Sequence, residues 1–380
     1  MLGEDLSLEA VYLHIPFCRH RCHYCDFYTL AGREDAMEAY VDRAVDEMRI
    51  SSSRFAKPVS SIFFGGGTPT LLPPPLLKKL MEGVREYVPL DEDLEWTVEA
   101  NPETVNDEVA RVLAEYGATR VSLGAQSFDP SLLAKLERRH DPDSVARGVE
   151  CLRNAGIRHF NIDLIYAIPG QTMQSWEADL KEVVSMNVEH ISCYGLVYEH
   201  GTPLTRRRDR GLVVPVEEEL EAAMHCTARD VLGQEGMAQY EISNWSRPGL
   251  QCRHNLVYWR NGNWWPIGPG ACGHVDGLRW KNVPRLSSYV DNSGFPAISA
   301  VEHLDDDGAV GEAFMLGLRL MEGMKYDHVE ALLERGTRGQ ERLAALERHV
   351  SGGLLEQAGG YIRLTRNGVI QADTVLVDLL

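Results

Sequence analysis

An alternation of short apolar runs and longer amphipathic stretches fills the first 200 residues, and it limits the fold more than any other feature of the chain. Residues 11–15 form an apolar run that ends at Pro16. The stretch 34–48 has helical spacing, with Met37, Tyr40, Val41, Ala44, Val45 and Met48 on one face. Residues 59–64 read as a strand stopped by Gly65-Gly66-Gly67, and 76–87 as the next helix. A strand over 96–99 closes at Asn101-Pro102, and Asn106 is placed to cap a helix reaching Tyr116. Strands at 120–123, 160–165 and 191–196 follow, separated by helices near 143–155 and 175–186. About six βα units in order predict an α/β fold, a parallel sheet with its helices outside. Right-handed crossovers permit a doubly wound sheet or a barrel, and the residue pattern alone leaves both open.

After about residue 215 the pattern changes. A long helix over 217–233 precedes a stretch rich in Trp, Gly, Asn and Pro up to Pro296, with Trp245, Trp259, Trp264, Trp265 and Trp280 in it. From Asp307 the spacing predicts helices near 310–321, 326–335 and 339–350. A two-stranded wing over 354–364, turning at Gly359-Gly360, and a last helix from Val369 complete the chain. The expected division is therefore 1–215, 216–302 and 303–380, the last an α+β winged-helix-like unit. That unit holds 8 basic and 13 acidic side chains, and the whole chain 38 and 56, for a net charge of −18. Such a balance argues against a nucleic-acid backbone or an anionic membrane as the main partner. No run approaches the length of a bilayer span, and the first residues are acidic where a signal peptide needs a basic start. A cytoplasmic protein without a transmembrane segment is expected.

Eight cysteines are too sparse for a disulfide framework, and they are unevenly placed. Cys151, Cys193, Cys226, Cys252 and Cys272 are scattered and read as small core residues, whereas Cys18, Cys22 and Cys25 share one short loop. That loop directly follows the first strand, where barrels and open α/β sheets place their chemistry. A zinc site usually presents two close pairs of ligands, and a second pair is missing here. Three thiolates suit three corners of a cubic iron–sulfur cluster, leaving one iron open to a small molecule. Zinc completed by His20 or His23, and loop thiols without metal, are the alternatives these residues leave.

The segment Tyr12-Leu-His14-Ile-Pro16-Phe-Cys18-Arg-His-Arg-Cys22-His-Tyr24-Cys25 resembles the signature of radical S-adenosylmethionine (SAM) proteins, in the subgroup of oxygen-independent coproporphyrinogen III oxidase and its relatives. The likeness continues through Gly65-Gly66-Gly67-Thr68-Pro69, Val98-Glu99-Ala100-Asn101-Pro102, Ser122-Leu-Gly-Ala-Gln126-Ser-Phe128 and Asn161-Ile-Asp163-Leu-Ile-Tyr166. It implies a partial six-stranded (β/α) barrel and a [4Fe–4S] cluster on Cys18, Cys22 and Cys25, with SAM chelating the open iron through its amino and carboxylate groups. By the same resemblance Gly66, Gly67 and Thr68 meet the methionine end of SAM, and Glu99, Gln126, Arg138 and Asp163 complete its site. Tyr12 and Tyr24 flank the cluster. Glycines after a strand do let backbone approach a ligand, and Asp163 amid Ile162, Leu164 and Ile165 needs a polar partner. A tight turn, a surface Arg138 beside Glu137, Arg139 and His140, and two core tyrosines are the plainer readings.

Within the subgroup, Phe27 stands where the oxidase loop has a further cysteine, and only 11 residues precede Tyr12 where the oxidase has a longer segment. The HemW haem chaperones share both departures, and His254-Asn255-Leu-Val-Tyr258-Trp259 resembles their His-Asn-x-x-Tyr-Trp motif. This likeness implies haem bound through the His254 imidazole and delivered to a haem-acceptor protein, with an electron donor serving the cluster. Tyr258, Trp259, Trp264 and Trp265 would offer flat apolar surface, and Arg253 and Arg260 would meet the propionates. Cys252 is a competing ligand. The plainer reading has the Trp-rich segment as a lid with His254 hydrogen-bonded inside. The functional alternative is a radical SAM enzyme acting on a porphyrin-type substrate, the oxidase itself or a related methyltransferase; the residues do not decide whether a substrate is turned over.

Overall fold

A computed structural model describes residues 3–380. Six parallel strands form its centre: β1 (Ala10–Ile15), β2 (Val59–Gly66), β3 (Leu90–Ala100), β4 (Arg120–Gln126), β5 (His159–Tyr166) and β6 (His190–Gly195). They lie side by side in chain order with no reversal. Right-handed crossovers then deliver every intervening helix to the same face, so the strands form the arc of a barrel rather than a doubly wound sheet. The helices are α1 (Met37–Ser51), α2 (Pro74–Tyr87), α3 (Asp107–Tyr116), α4 (Asp143–Asn154) and α5 (Met173–Ser185). Local signals set their ends. The Asn106 side chain accepts from the N–H groups of Glu108 and Val109, and α3 stops at Gly117 with φ +95°. Thr172 and Ser175 form a reciprocal capping box at the start of α5.

Register partners in a parallel sheet point to the same face. Val98, Val121 and Phe160 are partners across β3, β4 and β5, and they pack into the main hydrophobic core. The opposite face carries two rows. Tyr12, Phe63, Thr97 and Arg120 form one, and Glu99, Ser122, Asn161 and His190 the other. Polar side chains therefore line the interior of the arc on strands that are buried on both faces.

The Trp-rich segment adds strands that its sequence did not suggest. After α6 (Glu218–Gln234), β7 (Ala238–Glu241) and β8 (Asn244–Ser246) extend the sheet antiparallel beyond β6. The short helix α7 (Arg253–Trp259) leads to β9 (Trp264–Ile267), which returns to pair parallel with β1 at the far edge. Beyond it lie β10 (Cys272–Val275), β11 (Leu278–Asn282) and β12 (Ile298–His303), completing a sheet of twelve strands. Each of these strands spans only three to six residues, too few for an alternating pattern to stand out. The expected strand over 96–99 is the buried end of a longer one, whose first half is exposed through Asp91, Glu92 and Asp93.

A second hydrophobic core gathers Phe314, Leu332, Leu346, Ile362 and Leu376. It is enclosed by α8 (Asp306–Gly317), α9 (Tyr326–Glu334) and α10 (Gly339–Ser351), with the wing strands β13 (Leu355–Ala358) and β14 (Tyr361–Leu364). Met324–Lys325 adds a short third strand to the wing. Helix α8 begins earlier than expected because Asp305 caps it through the Gly308 N–H. The expected last helix is two short ones, Arg366–Ile370 and Ala372–Val377.

Candidate functional site

At the carboxyl ends of the strands a cavity of about 380 Å³ collects most of the residues that the sequence singles out. The loop after β1 supplies Cys18, Cys22, Tyr24 and Cys25, the turn after β2 supplies Gly66, Gly67 and Thr68, and Glu99, Gln126, Arg138 and Asp163 close the circle. Tyr12 and His254 do not line it; both lie on a second, deeper cavity.

The glycines stitch the cysteine loop to β2. Gly67 N–H donates to the Ile15 carbonyl (2.8 Å) and Thr68 N–H to the Phe17 carbonyl (2.8 Å). A Cβ on Gly67 would stand 2.6 Å from the Phe17 oxygen, and one on Gly66 2.4 Å from the His14 ring at φ +99°. All three loop cysteines are free thiols. Cys18 Sγ lies 3.6 Å from Thr68 Oγ1, and Arg138 Nη1 donates to Cys22 Sγ at 3.7 Å. Burial raises the Cys18 thiol and pushes Cys25 to about 11.

Among the described residues no three His, Cys, Asp or Glu side chains converge on one point as a single ion would require. His20 instead faces Glu137 at 3.7 Å. Thiols spread around one cavity suit a larger group with several metal corners, so the donor set fits an iron–sulfur cluster better than zinc. Glu99 Oε2 accepts from the Gly66 N–H at 3.1 Å, and burial with the charge of Asp163 pushes its carboxyl up to about 8. Burial also raises Asp163, although Ser122 Oγ and Asn161 Nδ2 donate to it at 2.8 Å each. Two carboxyl groups reluctant to ionise together favour a cationic guest, and SAM carries a sulfonium that stays positive when its amino group is a metal ligand. Arg138 is half-buried and reaches the Gly124 carbonyl, not a surface charge. Gln126 is buried at φ +67°, and Tyr24 packs on the cluster of Leu136, Ile165 and Leu196.

The deeper cavity measures about 570 Å³ and shares Asp26, Phe27, Glu99, Ser122, Asp163 and Tyr194 with the first. Tyr12 lies on its wall, hydrogen-bonded to His14 Nδ1 (3.1 Å) and stacked on Phe63, not beside the cysteines. His254 lies in the first turn of α7, its backbone N–H donating to Glu95 Oε1 at 3.1 Å. Its Nδ1 meets Ser61 Oγ at 3.0 Å and its Nε2 meets Tyr258 Oη at 2.8 Å. Only 1% of the residue is exposed, and burial lowers its pKa to about 3, so the imidazole is neutral. A neutral ring is what an iron ligand requires, but both nitrogens are held here, as in the lid arrangement.

Four haem contacts expected from the sequence do not form this way. Arg253 pairs with Asp93 (3.1 Å) and Arg260 with Glu322 (3.1 Å), and neither lines the cavity. Trp259 lies under Arg319 and Trp265 donates to Ser51, so only Tyr258 and Trp264 of the four aromatics face the space. Cys252 is buried on the cavity wall, where its thiol donates to Glu95 Oε1 at 3.4 Å and is pushed up to about 12 by burial. Cys272, expected in the core, is exposed and lines the cavity. Sequence reasoning missed Thr97, Arg120, Asn161 and His190 on the same wall. Their signal was a polar residue at every second position of strands read as wholly buried.

A six-stranded arc that holds a three-cysteine loop and a SAM-sized acidic cavity at its mouth defines a radical SAM protein. Residues 12–183 match the family model of the radical SAM superfamily, and 304–370 that of the HemN C-terminal domain. The solved structure of coproporphyrinogen III oxidase (HemN) from Escherichia coli has the same fold, with TM-score 0.84 at 21% identity over 99% of this chain and 90% of that one. The heme chaperone HemW of Mycobacterium tuberculosis (strain CDC 1551 / Oshkosh) is 37% identical over 380 residues, covering 98% of this chain and 94% of its own. HemW of Escherichia coli (strain K12) is 33% identical over 376 residues, 97% of each. The chain belongs to the HemW family. Its cofactors are a [4Fe–4S] cluster, which Cys18, Cys22 and Cys25 would hold, and SAM; a bound, reduced cluster would be able to supply an electron to the sulfonium. No helix among the described residues is long and apolar enough to cross a membrane.

Proposed function

We propose that this protein is a haem chaperone, which takes up haem through His254 and passes it to an acceptor protein. The observation that carries the reading is a neutral, buried imidazole on the wall of an aromatic cavity that adjoins the SAM cavity. Ser61 fixes the ring through Nδ1, leaving Nε2 as the atom for iron once the Tyr258 hydroxyl withdraws. Cys18, Cys22 and Cys25 hold the cluster. Gly66, Gly67 and Thr68 receive the methionine end of SAM, and Glu99 and Asp163 attract its sulfonium. Gln126, Arg138 and Tyr24 complete that wall. The cluster and SAM act in regulation or structure. An electron donor would approach beside Cys25, where Phe27 is 59% exposed. Eight free thiols support a reducing, cytoplasmic setting.

The test is anaerobic reconstitution of the full chain with iron, sulfide and SAM, followed by haem titration and a coproporphyrinogen assay. The expected result is stoichiometric haem retention that weakens in His254→Ala, without substrate consumption. Sustained decarboxylation with 5′-deoxyadenosine accumulating in step overturns it in favour of an oxidase.

A further inference from the structure

The inner cavity has a floor that none of the roles above employs. Thr97 and Arg120 are register partners on β3 and β4, so their side chains stand together inside the arc. Both line the cavity, and they are 1% and 4% exposed. Arg120 Nη2 donates to Glu95 Oε2 (3.2 Å) and to the carbonyls of Leu250 (3.0 Å) and Gln251 (3.3 Å). Arg120 Nε and Nη1, and the Thr97 hydroxyl, have no hydrogen-bond partner. Buried donors left this way carry their full desolvation cost until an acceptor arrives. A guanidinium with two free N–H groups suits a carboxylate in particular.

The surroundings narrow the ligand. Tyr12 and Phe63 continue the row of Thr97 and Arg120, and Tyr258 and Trp264 meet edge to face at 4.5 Å, giving the space flat apolar walls. Glu95 links the floor to the start of α7, one oxygen on Arg120 and the other on the His254 backbone N–H.

We propose that Arg120 and Thr97 form a carboxylate pocket that takes one propionate of haem, while the macrocycle lies against the aromatic wall near His254. The inference rests on the haem-chaperone reading, and gives Arg120 the role that the outward ion pairs of Arg253 and Arg260 deny them. One guanidinium at the floor accommodates one propionate, so the free acid binds better than its ester. The other carboxylate at hand belongs to SAM, and the experiment separates the two.

Cluster-reconstituted full-length protein is titrated anaerobically with iron protoporphyrin IX and with its dimethyl ester, following Soret absorbance, and SAM affinity is measured in parallel. The proteins are wild type, Thr97→Val and Arg120→Lys, the last keeping a cation against Glu95. Wild type is expected to prefer haem to the ester about tenfold. Arg120→Lys should weaken haem about tenfold and Thr97→Val about threefold, with ester binding unchanged in both. If Arg120→Lys does not fold, Thr97→Val and the ester comparison decide. Equal affinity for haem and ester, or equal weakening of both, overturns the pocket. Loss of SAM affinity with haem affinity intact gives the site to SAM and overturns it too. Wild type that takes up no haem overturns the chaperone reading and the pocket together; uptake indifferent to both substitutions overturns the pocket alone.

Discussion

The two adjoining cavities are built in opposite ways. The outer one is assembled from the turns after successive strands, so each wall is a short contiguous motif held by backbone: Gly67 and Thr68 bond directly to the cysteine loop. The inner one is assembled mainly from side chains along the strands, two or more from each strand except β2, and is closed by a helix and a strand from far along the chain, α7 and β9. Backbone geometry shapes the first, and buried polar side chains shape the second. The two should therefore respond to different substitutions, and they should fail independently although Glu99 and Asp163 belong to both.

The strongest way to break this contrast is to remove the metal site alone. Cys22→Ser is expected to abolish stable cluster assembly, measured as iron and sulfide per chain after anaerobic reconstitution, because two thiolates remain for three corners. Haem titration of the same variant should match wild type. Loss of haem binding along with the cluster would mean that one cavity depends on the other.

The next largest effect belongs to the inner cavity. Glu95 is buried, pairs with Arg120 at 3.2 Å and accepts from both Cys252 and the His254 N–H. Glu95→Ala leaves a buried guanidinium without its counter-charge, which costs about 3–5 kcal/mol. Chemical denaturation should show that loss, whereas a solvent-exposed pair such as Arg33–Asp35 should give next to nothing when broken. A Glu95→Ala protein as stable as wild type would remove the support proposed for α7.

These differences also explain what could be read without coordinates. The outer cavity was legible because its residues sit in local runs, from Cys18 to Cys25, from Gly65 to Pro69 and from Val98 to Pro102, each tied to a strand end. Six repeats of strand and helix made the arc legible as well. Chain order alone could not choose barrel over doubly wound sheet; the pairing order from β1 to β6 does. The inner cavity was illegible for a physical reason. Thr97, Arg120, Asn161 and His190 are far apart in sequence, and only register brings them into rows. His254 stood out as a motif, but nothing local tells that Ser61 and Tyr258 bond both of its nitrogens. Arg253 misled because α7 turns it toward Asp93 at the exposed start of β3.

Glu99 sharpens the contrast through pH. Burial and the neighbouring Asp163 push its carboxyl up to about 8, and a cationic guest favours the ionised form. SAM binding should therefore release protons and tighten as pH rises from 7 to 8.5, by about fivefold. Calorimetry in buffers of different ionisation enthalpy measures that release. Glu99→Gln should flatten the profile, and a flat profile in wild type would place the cation elsewhere. His254 should add no dependence of its own to haem binding over the same range, because it is already neutral above a pKa of about 3.

The smallest effect tests whether the second reading of His254 is a closed state or a dead end. Tyr258 Oη holds Nε2 at 2.8 Å, and a hydrogen bond of this kind is worth about 0.5–1.5 kcal/mol net. Haem must displace it before iron reaches the nitrogen. Tyr258→Phe removes the competitor and keeps the ring that packs against Trp264 at 4.5 Å, so haem should bind about threefold more tightly. Tyr258→Ala, which deletes the aromatic wall as well, should bind more weakly than wild type. If Tyr258→Phe instead weakens haem, the hydroxyl assists the ligand rather than guarding the imidazole. SAM affinity should stay unchanged in both variants, because Tyr258 lines the inner cavity and not the outer one.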